Sequence, residues 1–368
     1  MLATILALAL AVHPASPAAE SSRPLVDSQW LRTIVPRADG FDVYWFRHNE
    51  VRPPLGSRMF RTALDLDGRI AGPTAIIASP ATRALSSGPG RPLLYWSTDD
   101  RSLYAAPLSA GGDGVLIATG AEYPSIHCEQ SSCFARWVAL QGGSRGAFLD
   151  LSGNIVNGPF PLPGVLYDIL PVSIDAEGAA LVSASLNEYA VVRIARDGTV
   201  RANVPFLGHA TYTTTAVSHD GERAVVAYIP KPWPDEPSSL AVSALAIAPD
   251  GTIANLGSLF APAGAIHLTG LAMGWNGTSH LLVGGYVDQA YKSQIFAVEL
   301  DRQLHVVAAT QIPAEFPYGV RFEVVPNGDR FAIGWTNHKP LVAIYRGGTL
   351  SAPVALEDGP ARRRMIRH

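Results

Sequence analysis

Residues 327–335 read Asn-Gly-Asp-Arg-Phe-Ala-Ile-Gly-Trp, a tight turn followed by a short apolar strand that ends in an aromatic residue. Asn-Gly supplies residues that tolerate positive φ, as tight hairpins demand, and the apolar run is typical of a strand. The turn and the apolar strand recur six more times, and the strand ends in Trp or Tyr in every copy except the fourth. The turn residues of the other copies are Asp39-Gly40, Gly88-Pro89-Gly90, the segment from Cys128 to Cys133, Glu177-Gly178, Asp220-Gly221 and Asn276-Gly277. The chain therefore contains seven copies of a turn-and-strand unit.

Each copy also contains a second turn, further along the chain than the first. These second turns are Asp67-Gly68, Asp113-Gly114, Ser152-Gly153, Asp197-Gly198, Asp250-Gly251, Asp301-Arg302 and Gly347-Gly348. Their spacing gives a period of about 47 residues, which fits a four-stranded propeller blade and not a helical repeat. No stretch of useful length shows helical periodicity with caps. We predict an all-β chain, a seven-bladed β-propeller of four-stranded antiparallel blades over residues 23–357.

The two turns give the predicted propeller two different faces. In each blade, with strands A to D, tight turns join A to B and C to D, and longer segments make the B–C and D–A connections. Antiparallel strands alternate in direction, so all tight turns share one face, which we name the turn face. The B–C and D–A connections share the opposite face, which we name the loop face. Seven whole blades fit between Leu31 and Ala355 without a strand borrowed from the other terminus.

The segment Ser218-His219-Asp220-Gly221-Glu222-Arg223-Ala224-Val225 resembles the Ser-Pro-Asp-Gly repeat of TolB-like propellers, with His in place of Pro. The chain departs from WD40 proteins, since it has no Trp-Asp dipeptide. The resemblance implies a member of the β-propeller superfamily over nearly the whole chain. It implies no particular function, because one fold carries many functions.

The two ends of the chain are predicted to lie outside the propeller. An apolar run from Met1 to Val12 and small residues up to Ala19 resemble a secretory signal peptide over residues 1–19, although the basic n-region is missing. The alternative is an uncleaved N-terminal anchor, and no later segment reaches spanning length without charges. Residues 358–368 form a basic C-terminal tail. We therefore predict a periplasmic or secreted protein.

Charge and cysteine content narrow the possible partners. The net charge of −3 provides no broad basic field, which argues against a nucleic-acid partner. The two cysteines, Cys128 and Cys133, flank the position where the third blade has its A–B turn, and strand ends in a hairpin lie within disulfide range. We predict a disulfide that contributes about 2 kcal/mol through its short loop. Metal binding would need two further ligands at suitable spacing.

One motif in the chain is shared with serine hydrolases. The segment Gly142-Gly143-Ser144-Arg145-Gly146 matches Gly-x-Ser-x-Gly, which acts in catalysis only where a strand turns into a helix. Here the motif falls in the B–C connection of the third blade with no helix after it. We interpret these glycines as loop residues.

Candidate binding residues come from the starts of the A strands, which approach the central channel. Counted back from the first turns, these positions hold polar and aromatic residues, and an insert in the fifth blade adds an exposed tryptophan between prolines. The candidates are Tyr123, Asp168, Tyr212, His267, Tyr318 and Trp233. In the alternative interpretation the tyrosines pack under neighbouring blades and Trp233 folds back onto a blade edge.

The leading functional hypothesis is a non-catalytic, monomeric binding or scaffold propeller that recognises a protein, peptide or glycan on its loop face. We predict no catalytic residue, no metal ligand and no cofactor from the sequence. The alternative is a hydrolase or lyase in which Asp168 and His267 act as general acid, general base or metal ligands at the channel mouth. A third possibility is a structural member of an envelope complex.

Overall fold

The computed structural model describes residues 28–48, 58–77, 84–108, 114–164, 172–184, 189–206, 215–230, 240–316 and 320–357 of the 368-residue chain. These residues form seven separate antiparallel sheets, and no helix occurs among them. Consequently, none of the described segments is a helix able to cross a bilayer. The expected seven-bladed, all-β architecture is confirmed.

The first four blades follow the chain order. Blade 1 contains β1 (Ser28–Arg37), β2 (Gly40–His48), β3 (Arg58–Asp65) and β4 (Ala75–Ile77). Blade 2 contains β5 (Ala84–Leu85), β6 (Leu93–Ser97), β7 (Leu103–Pro107) and β8 (Val115–Ala118). Blade 3 contains β9 (Ala121–Cys128), β10 (Cys133–Ala139), β11 (Ser144–Leu149) and β12 (Ile155–Leu162). Blade 4 contains β13 (Val172–Ile174), β14 (Gly178–Ala184), β15 (Tyr189–Ala195) and β16 (Val200–Phe206).

The remaining three blades repeat this pattern. Blade 5 contains β17 (Thr215–His219), β18 (Ala224–Tyr228), β19 (Val242–Ile247) and β20 (Ile253–Phe260). Blade 6 contains β21 (Ala265–Trp275), β22 (His280–Asp288), β23 (Ser293–Leu300) and β24 (Val306–Pro313). Blade 7 contains β25 (Glu323–Asn327), β26 (Arg330–Asn337), β27 (Lys339–Arg346), β28 (Thr349–Leu350) and β29 (Val354–Ala355).

The first strand of each blade is innermost, and the fourth strand forms the outer edge. Strand β17 contacts β21, β21 contacts β25, and β25 contacts β1, which closes the ring between blades 7 and 1. On the outer edge, β24 alternates exposed and half-buried residues, with Val307 62% exposed. The ring closes without exchange of strands between the termini, as expected. Leu356, fully buried beside Ile34 and Val342, packs across this junction.

A five-residue turn with its fourth residue in the left-handed backbone region recurs between strands. In the turn from Asp65 to Arg69, the N–H of Gly68 donates to Asp65 O at 3.1 Å and the N–H of Asp65 donates to Arg69 O at 2.9 Å. Gly68 has φ +83°, which glycine adopts without steric cost. The same position is glycine in four further turns. These glycines are Gly142, Gly153, Gly198 and Gly251.

The expected contrast in length between the two faces is wrong for several connections. In blades 3 and 6 the B–C connection is a five-residue turn, and in blade 7 His338 alone separates β26 from β27. The D–A connection from β8 to β9 has only two residues, 119 and 120. In blades 6 and 7 these turns lack a double-glycine or Asp-Gly signal, so their tightness depends on Tyr291 and His338 adopting positive φ. The blade 3 turn contains Gly142-Gly143 and the β8–β9 connection contains Gly120, all at positive φ, so glycine makes these two connections tight.

The predicted disulfide is present. Cys128 ends β9 and Cys133 begins β10, the two residues are directly paired, and their sulfur atoms are bonded at 2.04 Å. Both are fully buried. The bridge replaces the Asp-Gly or Asn-Gly residues that shape most other A–B turns. In the segment Gly142–Gly146 only the first two glycines lie in a turn, and Ser144 is the buried first residue of β11 with no helix behind it.

Candidate functional site

Two of the six predicted binding residues lie within the described part of the chain. Asp168, Tyr212, Trp233 and Tyr318 lie outside the described residues. Tyr123 is 66% exposed in β9, at a bulge where the register to β10 shifts, with φ +49°. His267 is half-buried in β21, beside a second bulge. Tyr123 and His267 belong to blades 3 and 6, so they lie on opposite sides of the ring, and the proposed polar ring at the channel mouth stays a prediction.

A carboxylate joins the inner strands of blades 7 and 1 to the A–B turn of blade 2, close to where the ring closes. Glu323 Oε1 in blade 7 accepts a hydrogen bond at 2.8 Å from Thr33 Oγ1 in blade 1, which also lies 3.2 Å from Gly88 O in blade 2. The backbone N–H groups of Ile34 and Gly88 donate to the same carboxylate. Burial raises the pKa of Glu323 to about 7, against the lowering effect of these hydrogen bonds. This carboxylate therefore serves the contact between blades.

A row of hydrogen-bonded serine, histidine and glutamate side chains, residue types that hydrolases also use, joins blades 2 and 3. Ser87 Oγ lies 3.1 Å from His127 Nδ1, and His127 Nε2 lies 3.1 Å from Glu129 Oε1. A serine nucleophile also needs free backbone donors for the oxyanion. The nearby N–H groups of Ser87 and Gly90 already donate to blade 3 carbonyls at 2.9 Å, and that of Gly88 donates to Glu323. The arrangement thus joins two inner strands.

The turn face of blades 4 and 5 holds a buried ion pair. Arg193, 1% exposed, contacts both carboxylate oxygens of Asp175 at 2.8 and 2.7 Å. His219 Nδ1 accepts the N–H of Gly221, so Nε2 carries the proton, 2.8 Å from Asp175 Oδ2. Burial raises the pKa of Asp175, but hydrogen bonds from His219 and Arg193 outweigh it and hold this pKa well below its usual range. All three side chains are engaged in joining blade 5 to blade 4.

Arginines join further blades across the turn face. Arg196 Nη2 donates to Asp175 O at 2.7 Å and to Ser132 Oγ of blade 3 at 2.9 Å. Between blades 5 and 6, Arg223 donates to the carbonyl of Arg302 at 2.7 Å, and Arg302 is paired with Glu222 at 2.9 Å. These arginines therefore bond to residues of neighbouring blades, and their role is to hold the ring together.

His280 is the exception on that side of the molecule. It is fully buried at the start of β22, its ring centroid lies 4.6 Å from that of Trp275, and neither ring nitrogen has a hydrogen-bond partner among the described residues. Burial lowers the pKa of His280 to about 4. The matching positions in blades 1 and 7 hold Phe41 and Phe331. His280 is therefore a neutral polar residue at an apolar position.

The loop face carries exposed side chains on strained backbone. Within the described residues, five residues other than glycine have positive φ, and four of them lie on this face. They are Arg101, Tyr123, Tyr291 and His338, with φ between 49° and 62°. Tyr291 is 84% exposed, and its ring makes no hydrogen bond or ring contact with another described residue. Left-handed backbone in residues with a Cβ tends to cluster at functional sites.

The sequence places Tyr291 in the B–C connection of blade 6 on the loop face, but Tyr291 is not among the six predicted binding residues, although a further signal for it is present. Asp288-Gln289-Ala290-Tyr291-Lys292 has the same frame as the turn from Asp65 to Arg69, with tyrosine in place of the glycine. Asp288 Oδ1 accepts the N–H groups of Ala290 and Lys292, both at 2.9 Å, as Asp65 does in its own turn. An alignment of the turns, instead of the strands, would have singled out this residue.

No group of three or more His, Cys, Asp or Glu side chains is placed to hold a metal ion within the ranges that the structure describes. The acidic groups next to the exposed loop-face residues have partners inside the protein. Glu122 pairs with Arg101, and Asp100 accepts hydrogen bonds from Thr98 and Ser102. The free binding capacity of this part of the face is therefore mostly aromatic and aliphatic.

No protein-family model matches the chain, and no curated protein matches its sequence. Solved structures do match. The BP39L lectin from Burkholderia pseudomallei is 13% identical, with TM-score 0.54, over 90% of this chain and all of the lectin. A prolyl endopeptidase structure is 11% identical, with TM-score 0.52, over 90% of this chain and 50% of the peptidase. The acylaminoacyl peptidase of Pyrococcus horikoshii is 12% identical, with TM-score 0.50, over 88% and 52%.

At these identities the likenesses show the fold alone. The chain is a seven-bladed β-propeller, and structures similar to it include both a lectin and peptidases. No specific propeller family follows from these comparisons. The TolB-like resemblance therefore stays a prediction.

Proposed function

We propose that the protein is a non-catalytic, exported binding propeller whose loop face recognises a protein, a peptide or a glycan. One observation carries this proposal. Two tyrosines on that face, Tyr123 and Tyr291, are 66% and 84% exposed and stand on left-handed backbone. Exposed tyrosines on a rigid scaffold are frequent binding hot spots, because they offer a large contact area with few rotatable bonds.

A non-catalytic role is supported by how the titratable groups are used. Glu323, His127 and Asp175 each bond to a neighbouring blade. A general acid, general base or nucleophile has to be within reach of substrate, in a suitable protonation state. The hydrolase or lyase alternative rests on His267 and on Asp168, which lies outside the described residues. The Ser87–His127–Glu129 chain favours a hydrolase by residue type, but its neighbouring backbone donors are engaged.

Export is supported by the disulfide between Cys128 and Cys133. Disulfides persist in the periplasm and outside the cell, and they are rare in the reducing cytosol. The signal peptide proposed for residues 1–19 lies outside the described residues, as does the basic tail over residues 358–368. A mass measurement on the exported protein tests whether residues 1–19 are removed.

The test of the binding proposal compares two double variants with wild type. One carries Tyr123→Ala and Tyr291→Ala on the loop face. The matched control carries Val156→Ala and Val307→Ala on outer strands, where the side chains are 67% and 62% exposed. Each protein is immobilised and exposed to the periplasmic or extracellular fraction and to a glycan array.

We expect the loop-face variant to bind its ligand with an affinity at least about tenfold lower than wild type. Truncation of a hot-spot side chain costs more than about 1 kcal/mol of binding free energy, and this variant truncates two such side chains. The outer-strand control should retain the ligand. Equal retention by both variants would contradict the proposal. A Trp233→Ala variant in the same assay tests the remaining prediction for the blade 5 insert.

A further inference from the structure

The recurring five-residue turn allows a comparison within one molecule. Three members carry a side chain where the others have glycine. These residues are Arg101 in the turn from Thr98 to Ser102, Tyr291 in the turn from Asp288 to Lys292, and Leu304 in the turn from Asp301 to His305. All three have φ between 58° and 68°. A Cβ is unfavourable in this backbone region, so each of these side chains needs a compensating role.

Leu304 has a structural role that accounts for it. The side chain is only 7% exposed and packs in the core between blades 5 and 6, with Leu271 and Leu300. Burial of a leucine outweighs the strain of its backbone. Tyr291 gains no such burial, since it is 84% exposed, and the Arg101 side chain is 50% exposed. Packing therefore leaves the side chain at position 291 unexplained, and Arg101 has only a half-exposed ion pair with Glu122, a kind of pair that contributes little stability.

We infer that Tyr291 and Arg101 are contact residues for a polypeptide partner that docks across the loop face. This inference rests on the proposed function and narrows it in two respects, the contact residues and the class of partner. Leu304 lies on the turn face and takes no part in the contact.

The surroundings of Arg101 have the composition of a protein-binding surface. The N–H of Ala121 donates to Arg101 O at 2.8 Å, and the N–H of Leu140 donates to Gly120 O at 2.9 Å. These bonds bring Arg101, Tyr123 and Leu140 onto one surface, where Leu140 is 54% exposed. Tyrosine and arginine are enriched at protein interfaces and dominate their binding energy.

The hydrogen-bonding state of the acidic groups disfavours a glycan. A sugar is held by free carboxylate and amide groups that bond its hydroxyls. Beside Tyr291, Asp288 Oδ1 accepts two backbone N–H groups and Oδ2 accepts Gln294 Nε2 at 3.1 Å. Beside Tyr123, the Glu122 carboxylate is paired with Arg101. With these carboxylates engaged, the exposed groups that remain are the tyrosine rings and the Arg101 guanidinium, the residue types that dominate protein interfaces.

The distance between the surface that carries Arg101 and Tyr123 and the surface that carries Tyr291 determines how long the partner has to be. Arg101 and Tyr123 belong to blades 2 and 3, and Tyr291 belongs to blade 6 of the ring of seven. A ligand that contacts both has to cross the mouth of the channel. A polypeptide has that reach, whereas a small molecule does not.

Photo-crosslinking tests the class of partner directly. Benzoylphenylalanine is introduced in place of Tyr291 in the full chain, and in place of Val307 on an outer strand as the matched control. Each protein is irradiated in the fraction used for the capture assay. We expect at least fivefold more adduct from position 291 than from position 307, with an adduct mass that collapses on proteolysis.

An adduct from position 291 that resists protease but is cleaved by periodate would overturn the polypeptide partner and leave the proposed binding function intact. No excess of adduct over position 307 would overturn the contact at Tyr291. The proposed function itself fails only if the Tyr123→Ala/Tyr291→Ala variant captures as much ligand as wild type, so the two failures are distinguishable.

A second variant separates binding from folding. Tyr291→Gly should raise Tm by about 1–2 °C, because glycine relieves the left-handed strain. The same variant should capture at least fivefold less of the partner identified by crosslinking. Leu304→Gly, the matched control, should lower Tm through lost burial and retain the partner. A Tyr291→Gly variant that retains the partner as well as wild type would overturn the inference.

Discussion

At the scale of single residues, His280 occupies a position that the rest of the fold reserves for apolar side chains. Blades 1 and 7 place Phe41 and Phe331 there, and blades 4 and 5 place Ala179 and Ala224. A buried imidazole without hydrogen-bond partners is costly, because both ring nitrogens have lost water. The charges of Asp220 and Arg223 across the interface act on it in opposite directions. The folded protein consequently holds this histidine neutral.

This burial predicts a loss of stability in mild acid. The pKa of His280 is about 4 in the folded protein, against 6.5 for an exposed histidine, so below about pH 6.5 the unfolded chain binds a proton that the folded chain does not. Stability should therefore fall as the pH drops from 6.5 towards 4. His280→Phe should lose about 1–2 kcal/mol less than wild type between pH 7.5 and pH 5. Urea unfolding at the two pH values measures the difference.

The matched control is Phe331→Leu, at the same position in blade 7, which alters a buried side chain without adding or removing a titratable group. It should follow the wild-type pH dependence. The same acid-induced loss in wild type and His280→Phe would show that His280 is not the group responsible.

At this scale the sequence predicted part of the candidate site. Tyr123 was identified by its distance from the A–B turn, and it is exposed on the expected face. Tyr291 was placed on the loop face with the blade 6 connection but not among the six candidates, because its prominence depends on a backbone angle that tyrosine rarely adopts and that the residue type does not signal. His280 and Glu323 were also missed, since their environments are formed by blades distant in the chain.

At the scale of structural elements, the residues in the turns decide how well the lengths of the connections between strands could be predicted. Glycine in a tight turn marks it clearly, and each Asp-Gly, Glu-Gly or Asn-Gly turn that the sequence predicts within the described residues joins neighbouring strands. The B–C turns of blades 6 and 7 contain Tyr291 and His338 at positive φ instead. Nothing in residue type alone distinguishes them from longer loops, which is why their lengths were wrongly predicted.

The disulfide belongs to this scale, because it stabilises a single hairpin. A loop this short restricts the unfolded chain modestly, so Cys128→Ser/Cys133→Ser should lower the free energy of unfolding by about 2 kcal/mol. Denaturant unfolding with and without reductant measures it. Reductant should destabilise wild type and leave the double variant unchanged. No effect of reductant on wild type would contradict a stabilising bridge.

At the scale of the whole molecule, contacts between distant parts of the chain close the ring. Glu323 meets Thr33, and the side-chain amide of Asn327 donates to the carbonyls of Arg37 and Gly40 at 2.7 and 2.8 Å. The repeat predicted seven blades and which strands pair. It could not predict these contacts, because the order of the blades does not determine which side chains meet between them.

At the scale of the whole molecule, the two faces of the ring also differ in what their side chains contact. Charged side chains on the turn face bond across neighbouring blades, as Arg196 does between blades 3 and 4. The loop face instead presents Tyr123 and Tyr291 to solvent. We therefore expect a partner to be bound on the loop face, with the turn face unaffected.

Amide hydrogen exchange of the protein alone and with its captured partner tests this division most directly. Binding should slow exchange in segments 98–102, 119–123 and 288–292 on the loop face. Exchange in segments 195–199 and 220–223 on the turn face should be unchanged. Protection confined to the turn-face segments, with none on the loop face, would contradict the account.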